Sequence, residues 1–180
     1  MAGKPPDGAK LYEAGLNHLA RYAATRDGMA RVLGRKIDRW GLLFAGEDAD
    51  PETVAAAVRD AKKTIPAVIS RLTEAGVLND EAFAASRVKR LTREGKSRRA
   101  TLAHLAAKGI ARPAIPENAE RELAAACAYL RRRRAGPFGD AEELKILAAM
   151  GRGGFSQEVA RRALRLDRDE AEALIKGLHE

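Results

Sequence analysis

The apolar positions of the chain repeat one pattern three times. With Thr25, Ser97 and Ser156 set in register, Leu16, Val88 and Leu147 stand nine residues earlier, and Leu19, Leu91 and Met150 six earlier. Met29, Thr101 and Ala160 follow four residues later, and Leu33, Leu105 and Leu164 eight later. Such offsets line one face of a helix on each side of the hydroxyl residue. The pattern therefore predicts a helix, a tight turn and a second helix whose N-cap is the Ser or Thr. Gly95 and Gly153-Gly154 supply the left-handed ending that the first helix wants, where the first copy has Ala23-Ala24. Arg21, Arg93 and Arg152, each four residues before the cap, close the first helices, where the dipole favours a cation.

A further helical stretch follows each copy. Asp50-Pro51-Glu52 is a start signal that opens Thr53–Lys63, and Ile65, Ile69 and Leu72 carry the helix on to a stop at Gly76. Pro116 to Arg134 and Arg168 to Gly177 are the other two. The first helices of copies two and three start at Asn79-Asp80-Glu81 and Asp140-Ala141-Glu142. No stretch alternates with period two for long enough to propose a strand. The expected fold is all-α: a flexible tail at 1–9, then tandem three-helix repeats at 10–76, 79–134 and 138–178, the first with an insertion near 40–63. Units this small bury little alone, so neighbours should pack together into an elongated, curved molecule.

Composition agrees. The chain is 46% hydrophobic but only 4% aromatic, so Ala and Leu, the leading helix formers, must build the core. A single cysteine, Cys127, excludes an intramolecular disulfide framework and a thiolate zinc cluster. No apolar run approaches the roughly 20 residues that span a bilayer, and the start has no signal-peptide character. A soluble, cytoplasmic monomer with no membrane association is expected. For catalysis the inventory is poor. His18, His104 and His179 lie in different units, and no Gly-rich phosphate loop ends in Gly-Lys-Ser/Thr. Cys127 sits among alanines and leucines as a small buried residue. The expectation is no enzyme, no catalytic residue, no metal and no cofactor.

The charge is localised. Of 33 Lys+Arg and 25 Asp+Glu, residues 1–86 hold 12 and 12, and residues 113–180 again hold 12 and 12. Residues 87–112 carry Arg87, Lys89, Arg90, Arg93, Lys96, Arg98, Arg99, Lys108 and Arg112 against Glu94 alone, and so the whole net charge of +8. On the helix from Asp80 to Glu94, Ala84, Val88 and Leu91 form the apolar stripe, and Lys89, Arg90 and Arg93 project away from it. Two residues after the cap stand Asp27 in copy one and Glu158 in copy three, acids that suit a helix start. Copy two has Arg99 there beside Arg98, and arginines at free N–H groups make an anion site, for a phosphate backbone or an acidic protein. Arg131, Arg132, Arg133 and Arg134 form a weaker second run, much of it explained by the helix end it occupies. Residues 87–112 contain no aromatic ring for base stacking, and the helix after Ser97 offers only arginines at its start. Salt-dependent backbone binding without strong sequence preference, or a protein partner, fits better than base reading.

These residues also resemble a known family. Gly76-Val-Leu-Asn-Asp-Glu-Ala-Phe83, Gly95-Lys-Ser-Arg-Arg and Leu105-Ala-Ala-Lys108-Gly109-Ile110 are similar to the central repeat of RecX proteins. Arg131-Arg-Arg-Arg-Ala-Gly-Pro-Phe138-Gly and Gly154-Phe155-Ser156-Gln-Glu-Val159 resemble their third repeat. The first copy departs, with Gly28 inside its second helix. The resemblance implies an all-helical, non-enzymatic regulator that lies in the groove of the RecA–DNA filament, inhibits strand exchange and ATP hydrolysis, and limits filament growth in DNA repair and recombination. It would turn Arg87, Lys89, Arg90, Arg93, Lys96, Arg98 and Arg99 toward the filament and its DNA, with Arg131–Arg134 as a lesser contribution. The competing readings are a stand-alone DNA-binding transcriptional regulator and a basic adaptor for an acidic protein.

Overall fold

A computed structural model describes residues 4–44, 50–111, 113 and 115–179. The first three residues of the expected tail, residues 45–49 of the expected insertion, and Arg112 of the basic segment lie outside them. The chain divides into two units, one up to Phe83 and the other from Ala84.

The first unit opens with α1 (Gly8–Leu19), whose N-cap Asp7 accepts from the Lys10 amide at 2.9 Å. Pro6 is already buried, so the chain is anchored three residues before the expected end of the tail. Then come α2 (Arg26–Phe44), α3 (Pro51–Lys63) and α4 (Ile65–Glu74). The long helix expected from Thr53 to Gly76 is two helices. It breaks at Thr64, whose hydroxyl donates back to the Ala61 carbonyl, and Pro66 stands in the first turn of the next helix, a position that tolerates its missing N–H. α4 packs on α1 and α2, and α3 lies along α2. Leu11, Met29, Leu33, Ile37, Val68 and Leu72 fill the core between them. Each contributes about 1.5–3 kcal/mol by leaving water.

The second unit contains the rest of α5 (Asp80–Arg93), then α6 (Arg98–Ala107), α7 (Ala119–Arg133), α8 (Glu143–Arg152), α9 (Gln157–Arg165) and α10 (Arg168–Gly177). All three expected caps are present. Thr25 Oγ1 accepts from Gly28 N, Ser97 Oγ from Ala100 N and Ser156 Oγ from Val159 N. The turns into α6 and α9 share one geometry: Gly95 at φ +71° and Gly154 at φ +93° take the left-handed conformation. Behind them, the amides of Lys96 and Phe155 reach back to the carbonyls of Leu91 and Met150, the Schellman closure. Each of these turns has four residues between helices. The first copy, lacking the glycine, has six, from Ala20 to Thr25.

α7 begins later than Pro116 because Asn118 is its cap, accepting from Arg121 N at 2.8 Å. It is buried on every side: Leu123, Ala124, Ala125, Ala126, Cys127 and Ala128 are all at most 3% exposed. α9 and α10 pack against it, and its residues share one core with Ile146, Met150, Phe155, Ala163, Ala171 and Ile175. The helix read as the last of copy two shares its core with the helices of copy three. A short antiparallel hairpin, β1 (Ala135–Gly136) and β2 (Gly139–Asp140), follows it, where no strand was expected. Two residue pairs are too short to give a period-two signal, and the turn is set by Arg134 at φ +51° and Gly136 at φ +58°.

Candidate functional site

At the start of α6, where the sequence suggests an anion site, the structure sets a carboxylate of the chain itself beside one amide. The Arg98 amide donates to both Glu122 carboxylate oxygens, at 3.2 and 2.9 Å. Glu122 is half-buried, and burial raises its pKa against the opposing pull of the Arg98 amide and charge. The first copy uses the same device, since the matching Arg26 amide donates to Asp80 at 2.8 Å. The arginine side chains are engaged as well. Arg98 donates from Nε and Nη2 to the Ile115 carbonyl and lies 3.5 Å from Glu117. Arg99 donates to the Gly151 carbonyl at 3.2 Å, at the end of α8. Ser97, fully buried, donates to the neighbouring Gly153 carbonyl at 2.7 Å. The N–H group expected to be free at this helix start is therefore taken.

The Arg131–Arg134 run is likewise dispersed. Arg131 pairs with Glu172 at 2.9 Å, Arg132 donates to the Glu94 carbonyl at 3.0 Å, and Arg133 stacks 4.7 Å from the Tyr129 ring. Arg134 is the left-handed cap of α7. Arg131, Arg132 and Arg133 thus have three different partners.

α5 holds a different set. Its buried stripe of Ala84, Val88, Leu91 and Thr92 fixes the rotation of the helix. Arg87 is half-buried on the flank nearest His104, and its charge and that of Lys108 act on that imidazole. Burial comes first in holding His104 below the usual histidine range, and its Nε2 is buried with no hydrogen-bond partner among the described residues. Arg90 pairs with Glu94 at 2.8 Å, which holds that carboxyl below its ordinary value. Lys89, Arg93 and Lys96 are exposed and make no ion pair among the described residues.

Lys89 and Arg93, one helical turn apart, line a groove of about 990 Å³. Arg121 from α7 and Arg162 from α9 stand on the same groove, and Leu123, Ala124, Leu166, Leu174 and Leu178 line it. Sequence reasoning missed Arg121 and Arg162. Residues 113–180 balance by count, and a count carries no direction. The legible signal was α9 itself, whose buried Ala160 and Ala163 oblige Arg161, Arg162 and Arg165 to share the opposite, exposed face.

No group of three or more His, Cys, Asp or Glu side chains among the described residues is arranged to hold a metal ion. Burial pushes the Cys127 thiol up to about 11, far from thiolate reactivity. No helix among the described residues is long and apolar enough to cross a membrane.

The model of the second three-helix domain of RecX matches residues 79–117, which hold α5, α6 and the lead into α7. A regulatory protein RecX of Myxococcus xanthus (strain DK1622) is 32% identical over 166 residues, covering 86% of this chain and 83% of its own. A regulatory protein RecX of Agrobacterium fabrum (strain C58) is 31% identical over 105 residues, covering 54% of this chain and 57% of its own. No solved structure matches.

Proposed function

This chain belongs to the RecX family of regulatory proteins, and on that footing we propose that it regulates the RecA recombinase without catalysing a reaction itself. In this reading it binds the RecA–DNA filament, inhibits strand exchange and ATP hydrolysis, and limits filament growth during repair and recombination. The observation that carries the reading is the likeness to a named regulatory protein across 86% of the chain. Lys89, Arg93 and Lys96 supply the chemistry. They are exposed cations with no ion-pair partner among the described residues, suited to phosphates through charge and indifferent to base sequence. Arg87 and Arg90 flank them on α5. Arg98 and Arg99 support the fold beneath this surface and contribute charge from there. The protein works as a cytoplasmic monomer.

The test is ATP hydrolysis by RecA assembled on single-stranded DNA. Substoichiometric protein should suppress it, and the Lys89→Glu/Arg93→Glu double variant should need at least tenfold more protein for the same effect. Unchanged hydrolysis at equimolar wild-type protein refutes the proposal.

A further inference from the structure

The groove lined by α5, α7, α9 and α10 has a chemistry that phosphate binding leaves unused. Part of its lining is apolar, with Leu123, Leu166, Leu174 and Leu178 among the residues on it. A nucleic-acid backbone offers nothing to such a surface, and residues 87–112 bring no Phe, Trp or Tyr for bases to stack on. Its basic groups, in contrast, are arranged for an anionic guest. Lys89, Arg93, Arg121 and Arg162 all line the groove, and none makes an ion pair among the described residues. The two acids on the groove have duties of their own. Glu170 accepts from the Asp167 amide in the capping box of α10, and Glu120 sits in the first turn of α7, where the helix dipole holds it.

An apolar floor under unpaired cations is complementary to a polypeptide that carries both carboxylates and apolar side chains, the groove mode of peptide recognition. We infer that this groove is a docking site for an acidic segment of a protein partner, whose apolar side chains meet the leucines and whose carboxylates meet Arg121 and Arg162, leaving Lys89 and Arg93 at the α5 side to the phosphates. The volume of about 990 Å³ lies at the upper end of the range for ligand sites, which suits a short segment of chain better than a small molecule. The inference rests on the regulatory reading above and adds the kind of surface it grips. The division of labour follows: exposed cations supply attraction and on-rate, and the buried apolar contact sets the lifetime of the complex.

The test replaces Ala173, an exposed α10 residue on the groove, with the photo-crosslinking residue p-benzoylphenylalanine. The full-length protein is then irradiated with RecA assembled on single-stranded DNA, and separately with the DNA alone. The expected product is an adduct to the recombinase polypeptide, at a peptide rich in Asp and Glu that also carries large apolar side chains. Adding Arg121→Glu and Arg162→Glu, two changes at surface positions outside the core, should cut its yield at least tenfold. Adducts to DNA, adducts to a peptide without acids, or a yield indifferent to the charge reversals would each overturn the inference. Absence of any adduct while ATP hydrolysis is still suppressed overturns the groove and leaves the regulatory proposal standing. Loss of suppression by the wild-type protein overturns both.

Discussion

The turns into α6 and α9 have the same cap, the same left-handed glycine and the same closing hydrogen bonds, yet opposite surroundings. Ser97 is fully buried, and its hydroxyl serves two partners, the Ala100 amide and the Gly153 carbonyl. Ser156 is exposed and serves only Val159 among the described residues. Around the first, Glu122, Arg98 and Arg99 knit α6 to the lead into α7 and to the end of α8. Around the second, no comparable set of contacts forms among the described residues. A shared sequence pattern thus fixes a local conformation, while its surroundings decide whether the charges beside it are structural or free to meet a partner.

The largest break in this comparison should come from Gly95→Ala. The residue sits at φ +71°, and an added Cβ would lie 2.6 Å from the Tyr129 backbone nitrogen, which cannot move without moving α7. Strain and overpacking together should cost about 3 kcal/mol or more in urea unfolding. Gly76→Ala, at φ +72° with open space around it, should cost only about 1 kcal/mol. Next in size, Ser97→Ala should cost about 2 kcal/mol, because it removes a cap and leaves a carbonyl unpaired in a buried place. Ser156→Ala should cost about 0.5–1 kcal/mol. Equal costs at the two serines would show that burial of the first cap adds nothing.

Arg98→Glu should destabilise by about 1–2 kcal/mol, since it breaks the bonds to Ile115 and sets a carboxylate beside Glu117 and Glu122. Read from the sequence, reversing Arg98 and Arg99 together to Glu restores the dipole pattern of the sister copies and should leave folding intact or slightly improved. The structure reverses the sign, and thermal melting decides between them. Glu122→Gln should lie within about 0.5 kcal/mol of wild type near neutral pH, because it keeps an acceptor for the Arg98 amide and removes a carboxylate whose charged form burial disfavours.

The smallest effect is the response to acid around His104. Its folded pKa is lowered, chiefly by burial and then by Arg87 and Lys108. Its contribution is therefore present above the ordinary value of 6.5 and lost as pH falls through the lower folded value. The melting temperature should drop more between pH 7 and pH 5.5 in the wild type than in His104→Gln, and parallel curves would show that this imidazole is silent.

Much of the fold was legible because it depends on short-range chemistry. The hydroxyl caps, Gly95 and Gly154 are set by hydrogen bonds within a few residues, and α10 occupies Arg168–Gly177 as its periodicity predicts. The break at Thr64 and the hairpin after Arg134 were missed because single residues set them against an otherwise smooth pattern. The candidate site was half legible. Lys89, Arg93 and Lys96 stand out in a charge count, but Arg121 and Arg162 vanish in one, since acids nearby in sequence cancel them without being nearby in space. Conversely, Arg98 and Arg99 looked available because Glu122, Ile115 and Gly151 are too distant in sequence for their pairing to be read.

The all-round burial of α7 has a consequence for anyone who would cut or recombine this protein. The repeat pattern invites a cut near residue 135, which would hand α7 to one fragment and strip the other of its central core helix. A C-terminal piece starting at the hairpin would expose Met150, Phe155, Ala163 and Ile175 to water, and the piece before it would carry a helix greasy on all sides. A cut that respects α7 has to keep it with α8, α9 and α10, whose residues share its core. The boundary of that core, rather than the repeat pattern, decides where such a cut can fall.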